Sequence, residues 1–299
     1  MARWKGVLLA GGTGSRLLPL TCAVNKHLLP IYDKPMLYHP LTTLMLGGIR
    51  EFVVVSSANA INQIQDCLGN GSRWGISFEY VKQAAPRGIA DALLAAERQL
   101  AGCNVALGLG DNIFYGTGLP VQIREAMSRE SGATIFSYEV LDAAEFGVVT
   151  IDGAGRPLAL DEKPRRAASN LAVPGLYFYD TKAIEFAKGF VVRPGSELGI
   201  VEINRAYLRE GQLRVLPLGR GTAWLDGGTP ESLFEAGQFV KVFQDRTGLK
   251  IACPEEVAYR MRFIDLYQLK ACISPADRTS YATYLRSIVC KEGRSVCPD

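Results

Sequence analysis

Apolar residues in this chain gather first into short unbroken runs: KGVLLA (5–10), EFVVVSS (51–57), ISFEYV (76–81) and VALGLG (105–110). A strand with one wet face alternates apolar and polar positions, so unbroken runs predict strands buried on both faces. Segments of helical length, 59–68 and 88–100, separate them. That alternation predicts an α/β fold with a mostly parallel sheet covered on both sides. Between 133 and 180 the texture shifts to longer, more alternating stretches, ATIFSYEVL, GVVTID and LAVPGLYFYD, which read as a mixed extension of the same sheet. From 229 onward the pattern is helical, with PESLFEAGQFVKVFQDRTG and then TSYATYLRSIVC. In the latter, Tyr281, Tyr284, Leu285 and Ile288 recur at i, i+3, i+4 and i+7, a packing stripe on one helix face. The organisation expected is a sheet core over 1–228 and a helical part over 229–299 packed on it, with KEGRSVCPD at the end fraying. No internal repeat or low-complexity linker interrupts it.

With 299 residues, 48% of them hydrophobic, a continuous core is within reach. The 33 Lys+Arg against 30 Asp+Glu are spread without a basic run of five, which argues against a nucleic-acid partner. No apolar stretch approaches the roughly 18 residues of a membrane span. MARWKG leads directly into a strand-like run with no signal-peptide pattern, so no membrane association and a cytoplasmic location are expected. Seven cysteines lie far apart with no Cys-x-x-Cys pair, and read as reduced thiols.

Candidate chemistry begins at LAGGTGSRLLP, Leu9 to Pro19. Gly14 is followed by Ser15-Arg16, not by the Lys-Ser/Thr of a Walker loop, and Leu17 stands where a dinucleotide fingerprint needs its third glycine. The loop nevertheless starts where the first strand ends, in the crevice where open α/β sheets bind ligands. Three glycines in four residues let backbone N–H groups approach phosphate oxygens closely. Arg16 and, in NKHLLPIYDKP, Lys26 add cations; the alternative is a tight turn with a surface arginine. Asp111 in LGLGDNIFYG and Asp226 in AWLDGGTPE stand at strand ends beside glycines. Two carboxylates reaching a phosphate crevice suit Mg²⁺, although each alone also reads as a turn residue or cap.

These motifs, GVLLAGGTGSRLLPLT and NKHLLPIYDKPM, continued by VKQAAPRGIADAL, LGDNIFYG, FGVVTID, DEKP, VPGLYFYD, NRAYL, GRGTAWLDGGTPESLFEAGQFV and LKIACPEEVAYR, resemble the sugar-phosphate nucleotidyltransferases. The likeness is strongest to members that act on dTTP and glucose 1-phosphate, and it runs to about residue 290. It implies a Rossmann-like core, Mg²⁺ dependence and a homotetramer assembled through the C-terminal helices. The implied reaction turns dTTP and glucose 1-phosphate into dTDP-glucose and pyrophosphate, a step of nucleotide-sugar biosynthesis of the dTDP-rhamnose type. Carried over by motif, Leu9, Gly11, Gly12, Thr13, Gly14, Ser15, His27, Gln83, Gly88 and Asn112 would bind nucleotide, with Gln83 and Gly88 reading the thymine edge. Arg16 and Lys26 would stabilise phosphoryl charge, and Asp111 and Asp226 would hold the metal. Gly147, Glu162, Lys163 and Val173 would form the sugar-phosphate pocket. Tyr115, Gly116, Arg220, Lys250, Glu256 and Arg260 resemble the lining of a second, regulatory nucleotide site.

Several positions depart from the family pattern. His27 replaces a glutamine after the lysine; it could donate to a nucleotide oxygen and would add pH dependence. Gly195, Gly199, Val201 and Glu202 stand where the family typically shows arginine, glutamate, threonine and aspartate, which leaves sugar-phosphate affinity and sugar identity open. GTGLPVQ (116–122) differs near the regulatory site. The alternatives are the same chemistry with UTP or another hexose 1-phosphate, or a regulatory homologue that binds nucleotide sugar without turnover. Arg16, Lys26, Asp111, Lys163 and Asp226 all being present argues against the second.

Overall fold

The computed structural model of the chain describes residues 3–85, 87–190 and 199–295. Its centre is the strand Trp4–Leu9, flanked in parallel by Asn104–Leu109 on one side and by Glu51–Ser57 and then Ser77–Gln83 on the other. The two faces carry separate cores. Leu8, Phe52, Val54 and Ala106 pack into one cluster; Val7, Leu9, Val53, Val55 and Leu107 pack into the other. Period-two alternation with both sets apolar is why these strands read as unbroken runs. Because all four strands are parallel, Leu9, Ser57, Gln83 and Leu109 end along one edge, and the segments after them form the crevice.

Beyond Asn104–Leu109 the sheet turns mixed, as its alternating texture predicts. Leu176–Tyr179 pairs antiparallel with Asn104–Leu109, then come Ala133–Glu139, Leu171–Ala172, Gly147–Ile151 and Pro157–Glu162, while Leu213–Pro217 pairs in parallel with Ala133–Glu139. Reversal of strand direction brings a strand's beginning to the crevice edge: Gly175, just before Leu176, accepts from the Leu109 N–H at 2.9 Å. LAVPGLYFYD divides into two strands at Pro174-Gly175, a dipeptide that punctuates strands.

A two-stranded ribbon, Asn112–Tyr115 with Ala223–Asp226, crosses the open side in antiparallel register, Asp226 opposite Asn112. Helix Pro230–Thr247 follows, started by a capping box between Thr229 and Ser232, and buries Ala236 and Val240 against Ile31, Met36, Ile113 and Ile251. The final helix, Ser280–Ser295, buries Leu285 and Ile288 with Tyr281 and Tyr284 packed beside them, as the stripe predicts. It runs on to Ser295, with Arg260 and Tyr259 both donating to Glu292, while residues 296–299 of the stretch expected to fray lie outside the described residues. The six described cysteines are free thiols; Cys297 lies outside the described residues. Among the described residues no helix is long and apolar enough to cross a membrane.

Candidate active site

The glycine loop leaves the central strand and closes on itself. Gly14 sits at φ 65°, a conformation L side chains avoid, and its carbonyl accepts from the Thr21 hydroxyl at 2.8 Å. Thr13, Ser15 and Arg16 are exposed on this loop. Gly12 lets Lys26 run alongside: a Cβ there would lie 3.0 Å from Lys26 Cε. Lys26 begins a short 3₁₀ turn, Lys26–Leu28, and its ammonium forms a close ion pair with Asp111, both side chains mostly buried. Burial opposes ionisation of Asp111, yet the Lys26 ammonium, His27 and the Asn112 amide hold its pKa down at about 2.

Residues 115 positions apart in sequence meet at this point because the ribbon register sets Asp226 opposite Asn112, and the Gly227 N–H donates to the Asp111 carbonyl at 2.8 Å. Asp226 and Asp111 line the same cavity, of about 400 Å³. Arg16 reaches it from the other loop; a Cβ on Gly228 would sit 2.9 Å from Arg16 Nη2. Asn112 was expected to contact nucleotide, but its polar atoms are already engaged. Its Nδ2 donates to Asp111 at 3.0 Å, and its Oδ1 accepts from Gly175 N at 3.0 Å and Trp224 Nε1 at 2.7 Å. It ties the Asp111 turn, the antiparallel strand and the ribbon together.

A second cavity, of about 220 Å³, lies on the glycine-loop side and shares Ile89, Leu109 and Asp111 with the first. Leu9, Gly11, Gly12, Lys26, His27, Gln83 and Gly88 line it. His27 is 2% exposed, and both its backbone N–H and its Nδ1 donate to Asn25 Oδ1, at 3.0 and 2.8 Å. Burial and the Lys26 charge push its pKa down to about 3. A neutral ring whose single hydrogen is on Nδ1 cannot donate from Nε2, so the donation and near-neutral titration expected of His27 do not fit this arrangement.

Across Asp111 the larger cavity gathers the four positions of the other pocket. Gly147 and Glu162 are direct strand partners, Val173 N donates to Gly147 O at 2.7 Å, and Lys163 N donates to Phe146 O at 3.0 Å. Lys163 holds φ 42°, a strained value for a lysine and one found most often where a site over-determines the backbone. Helix Ile200–Arg209 closes the far wall with Ile200, Val201 and Asn204; Glu202 instead pairs with Arg205, and Gly199 precedes the helix in extended backbone. Gly195 lies outside the described residues. Sequence reasoning missed Trp224, whose ring meets Phe146 at 5.0 Å and Tyr138 at 5.6 Å in that wall. Its place two residues before Asp226 was the available signal.

The six regulatory positions have three sets of partners. Tyr115 packs edge-on against Phe239 and at a tilt against Phe243 and adjoins Gly116, which lies against Thr222, while Arg220 is exposed nearby in sequence. Lys250 is half-buried, its ammonium donating to Asp33 and Gln244. Glu256 accepts from Tyr284 at 2.5 Å, and Arg260 pairs with Glu292 at 2.7 Å.

A cleft at the carboxyl ends of a parallel sheet, with a glycine loop, a lysine–aspartate pair and two aspartates joined by a crossing ribbon, defines a class of phosphate-handling enzyme. The profile of the nucleotidyl transferase family matches residues 5–242, and the chain belongs to that family. It is 45% identical over 288 residues to the glucose-1-phosphate thymidylyltransferase of Xanthomonas campestris pv. campestris (strain B100), covering 96% of this chain and 98% of the relative. It is 44% identical over 285 residues to the enzyme of that name in Mycobacterium tuberculosis (strain ATCC 25618 / H37Rv), covering 95% and 99%. A Bacillus anthracis crystal structure with a sucrose, described as a candidate glucose-1-phosphate thymidylyltransferase, superposes with TM-score 0.74 at 35% identity over 79% of this chain and 94% of that one. UDP-glucose pyrophosphorylase with UDP-glucose bound shares the fold, at TM-score 0.70, 21% identity and coverage of 82% and 100%.

Proposed function

We propose that this chain is a glucose-1-phosphate thymidylyltransferase, joining dTTP and glucose 1-phosphate into dTDP-glucose with release of pyrophosphate. The observation that carries the reading is the pair of cavities sharing Asp111, one walled by the glycine loop and the other by Gly147, Glu162, Lys163 and Val173. Two anionic substrates laid in them would meet end to end. An oxygen of the sugar phosphate attacks the α-phosphorus, the new O–P bond forms, and the bond to the bridging oxygen breaks opposite it. The residues here do no covalent work; they neutralise and align.

In this reading Gly11 to Ser15 present backbone N–H groups to the triphosphate, and Lys163 meets the phosphate of the sugar. Glu162 accepts from sugar hydroxyls. Lys26 leaves Asp111 for phosphate oxygens when the triphosphate arrives, and Arg16 steadies the departing pyrophosphate. Asp111 and Asp226 are hard oxygen donors, one in the turn just before Asn112 and the other opposite Asn112 on the ribbon, which fits Mg²⁺. No group of three or more His, Cys, Asp or Glu that could hold an ion was found among the described residues, so phosphate and water oxygens would complete the shell. Bound there, the cation would supply charge neutralisation for the phosphates. The helical part after residue 228 would carry the contacts of a homotetramer.

Pyrophosphate release by the purified chain is the test, with dTTP, UTP and a panel of hexose 1-phosphates, with and without EDTA. Release with dTTP and glucose 1-phosphate, abolished by EDTA and restored by Mg²⁺, is the expected result. No release with any pair would sink the reading, and a clear preference for UTP or another sugar would move it to the neighbouring activity.

A further inference from the structure

We propose that Asp91, braced by Arg87, fixes which end of the Gln83 amide faces the nucleotide base, and thereby selects a pyrimidine that carries hydrogen on ring N3. The inference rests on the reading of Gln83 as the base contact. Gln83 ends the strand Ser77–Gln83 and is 6% exposed. Its Nε2 donates to Asp91 Oδ2 at 2.8 Å and to the Gly88 carbonyl at 3.2 Å. Both partners are acceptors. Turning the amide over would set Oε1 against a carboxylate oxygen and a carbonyl oxygen, so the chemistry of the neighbours dictates the orientation. Asp91 in turn cannot rotate freely, because its other oxygen accepts from Arg87 Nε at 3.1 Å and Nη2 at 3.0 Å. Each carboxylate oxygen thus has its own task.

That leaves Oε1 for the cavity. Among the described residues no donor reaches it, and it lies against Gly11, where a Cβ would approach to 3.0 Å. Gly11, Gln83 and Gly88 form one wall of the 220 Å³ cavity. A lone-pair acceptor facing the base attracts the N3–H of thymine or uracil and repels the N3 lone pair of cytosine. The contact is blind to the ring methyl and to the ribose 2′-hydroxyl, so it separates thymine and uracil from cytosine but not from each other. A free glutamine would offer either end and select neither. The selectivity therefore lies in Asp91 and Arg87, which touch no substrate: Asp91 is a positioning residue.

Asp91→Asn tests this nearly isosterically. Its single oxygen is drawn to Arg87, whose donors cannot be reversed, and its new NH₂ is left facing Gln83. Gln83 then turns Oε1 toward that NH₂, giving up the longer 3.2 Å bond to the Gly88 carbonyl, and shows its own NH₂ to the cavity. Isothermal titration with dTDP and dCDP, and pyrophosphate release with dTTP and dCTP, read the consequence. We expect the dTDP over dCDP affinity ratio to fall roughly tenfold or more, the cost of exchanging one hydrogen bond for a repulsion, with kcat at saturating dTTP changing by less than about threefold. Asp91→Ala removes the stronger of the two acceptors and leaves only the Gly88 carbonyl to hold the amide, so it gives an intermediate ratio. Arg87→Ala combined with Asp91→Asn lets the oxygen swing back to Gln83 and restores the wild-type ratio. Equal weakening of both diphosphates, an unchanged ratio in the single variants, or no rescue in the double variant would overturn the proposal. Gln83→Ala separates the two layers. If it collapses the ratio while Asp91→Asn does not, only the positioning role fails; if it leaves the ratio untouched, the base-contact reading itself is wrong.

Discussion

At the glycine-loop end of the cleft the walls are loops at the ends of parallel strands, and much of what they present is backbone; at the other end they are side chains gathered from the antiparallel extension, the crossing ribbon and helix Ile200–Arg209. Along the glycine loop the first is suited to a ligand group that is the same in every nucleotide, the phosphate chain, because N–H groups and one lysine need only a fixed loop shape, and Gln83 with Gly88 would be left to tell one base from another. The second is suited to a group that varies, since Glu162, Tyr177 and Trp224 come from three different strands and Val201 and Asn204 from one helix, and each can be exchanged without remaking the fold. Asp111 belongs to both cavities, so the two construction styles meet where the chemistry would occur.

The largest effect expected is at that junction. Asp226→Ala removes a carboxylate whose one described hydrogen bond comes from Gly228 N at 3.2 Å, so turnover should fall roughly 10³-fold with little change in thermal midpoint. Asp111→Ala should lose activity to a similar degree but also stability, because it leaves the mostly buried Lys26 ammonium without its partner. Kinetics and melting curves on both variants separate the roles. Near-normal turnover in both would dissolve the junction, and equal stability loss in both would mean that the ion pair with Lys26 contributes nothing special.

How legible each end was in the sequence follows from the same contrast. EFVVVSS coincides with the strand Glu51–Ser57, and the glycine loop with its following lysine is contiguous enough to read directly, since parallel strand ends and their loops are local features. The opposite wall depends on pairings far apart in sequence. Nothing local states that Asp226 lies opposite Asn112, that Trp224 donates to Asn112 Oδ1, or that Gly147 pairs with Glu162. Strand Leu213–Pro217, inserted beside Ala133–Glu139, had no run that set it apart. Family resemblance supplied Gly147, Glu162, Lys163 and Val173 as positions, while the sheet register explains why those four meet. For His27 and Asn112 the resemblance named ligands, but the hydrogen-bond partners show groups already engaged within the protein.

A smaller effect sharpens the contrast on the antiparallel side. Trp224→Phe keeps an aromatic ring beside Phe146 and Tyr138 but deletes the N–H that Asn112 Oδ1 accepts at 2.7 Å. If this wall holds the sugar, the KM for glucose 1-phosphate should rise about five- to tenfold, the worth of one hydrogen bond, while the KM for dTTP stays within about twofold. A rise confined to dTTP would reverse the assignment of the two cavities.

The smallest effects are pH-dependent. The chain has two histidines, His27 and His39, both buried in the half that carries the parallel strands. His39 faces Lys34 and Asp33, neither ring nitrogen has a hydrogen-bond partner among the described residues, and burial lowers its pKa from 6.5 to about 3. The unfolded chain therefore takes up the proton first: stability is full above pH 6.5 and erodes as the pH falls toward 3. Each such histidine costs about 1.4 kcal/mol per pH unit across that window. Burial raises the pKa values of Tyr177 and Tyr179 above 10.0, and those of Tyr38 and Tyr80 in the half with the parallel strands likewise, so their contribution is full below pH 10.0 and is lost as the pH rises past it. Urea unfolding at about pH 5, 7.5 and 10.5 would trace both limbs. His39→Leu gives up no hydrogen bond, so at about pH 7.5 it should be neutral or slightly stabilising, and it should make the acid limb shallower while leaving the alkaline limb alone. An acid limb as steep in His39→Leu as in the parent would mean that His39 takes up its proton in the folded state, and the acid sensitivity of this half would have to be traced elsewhere.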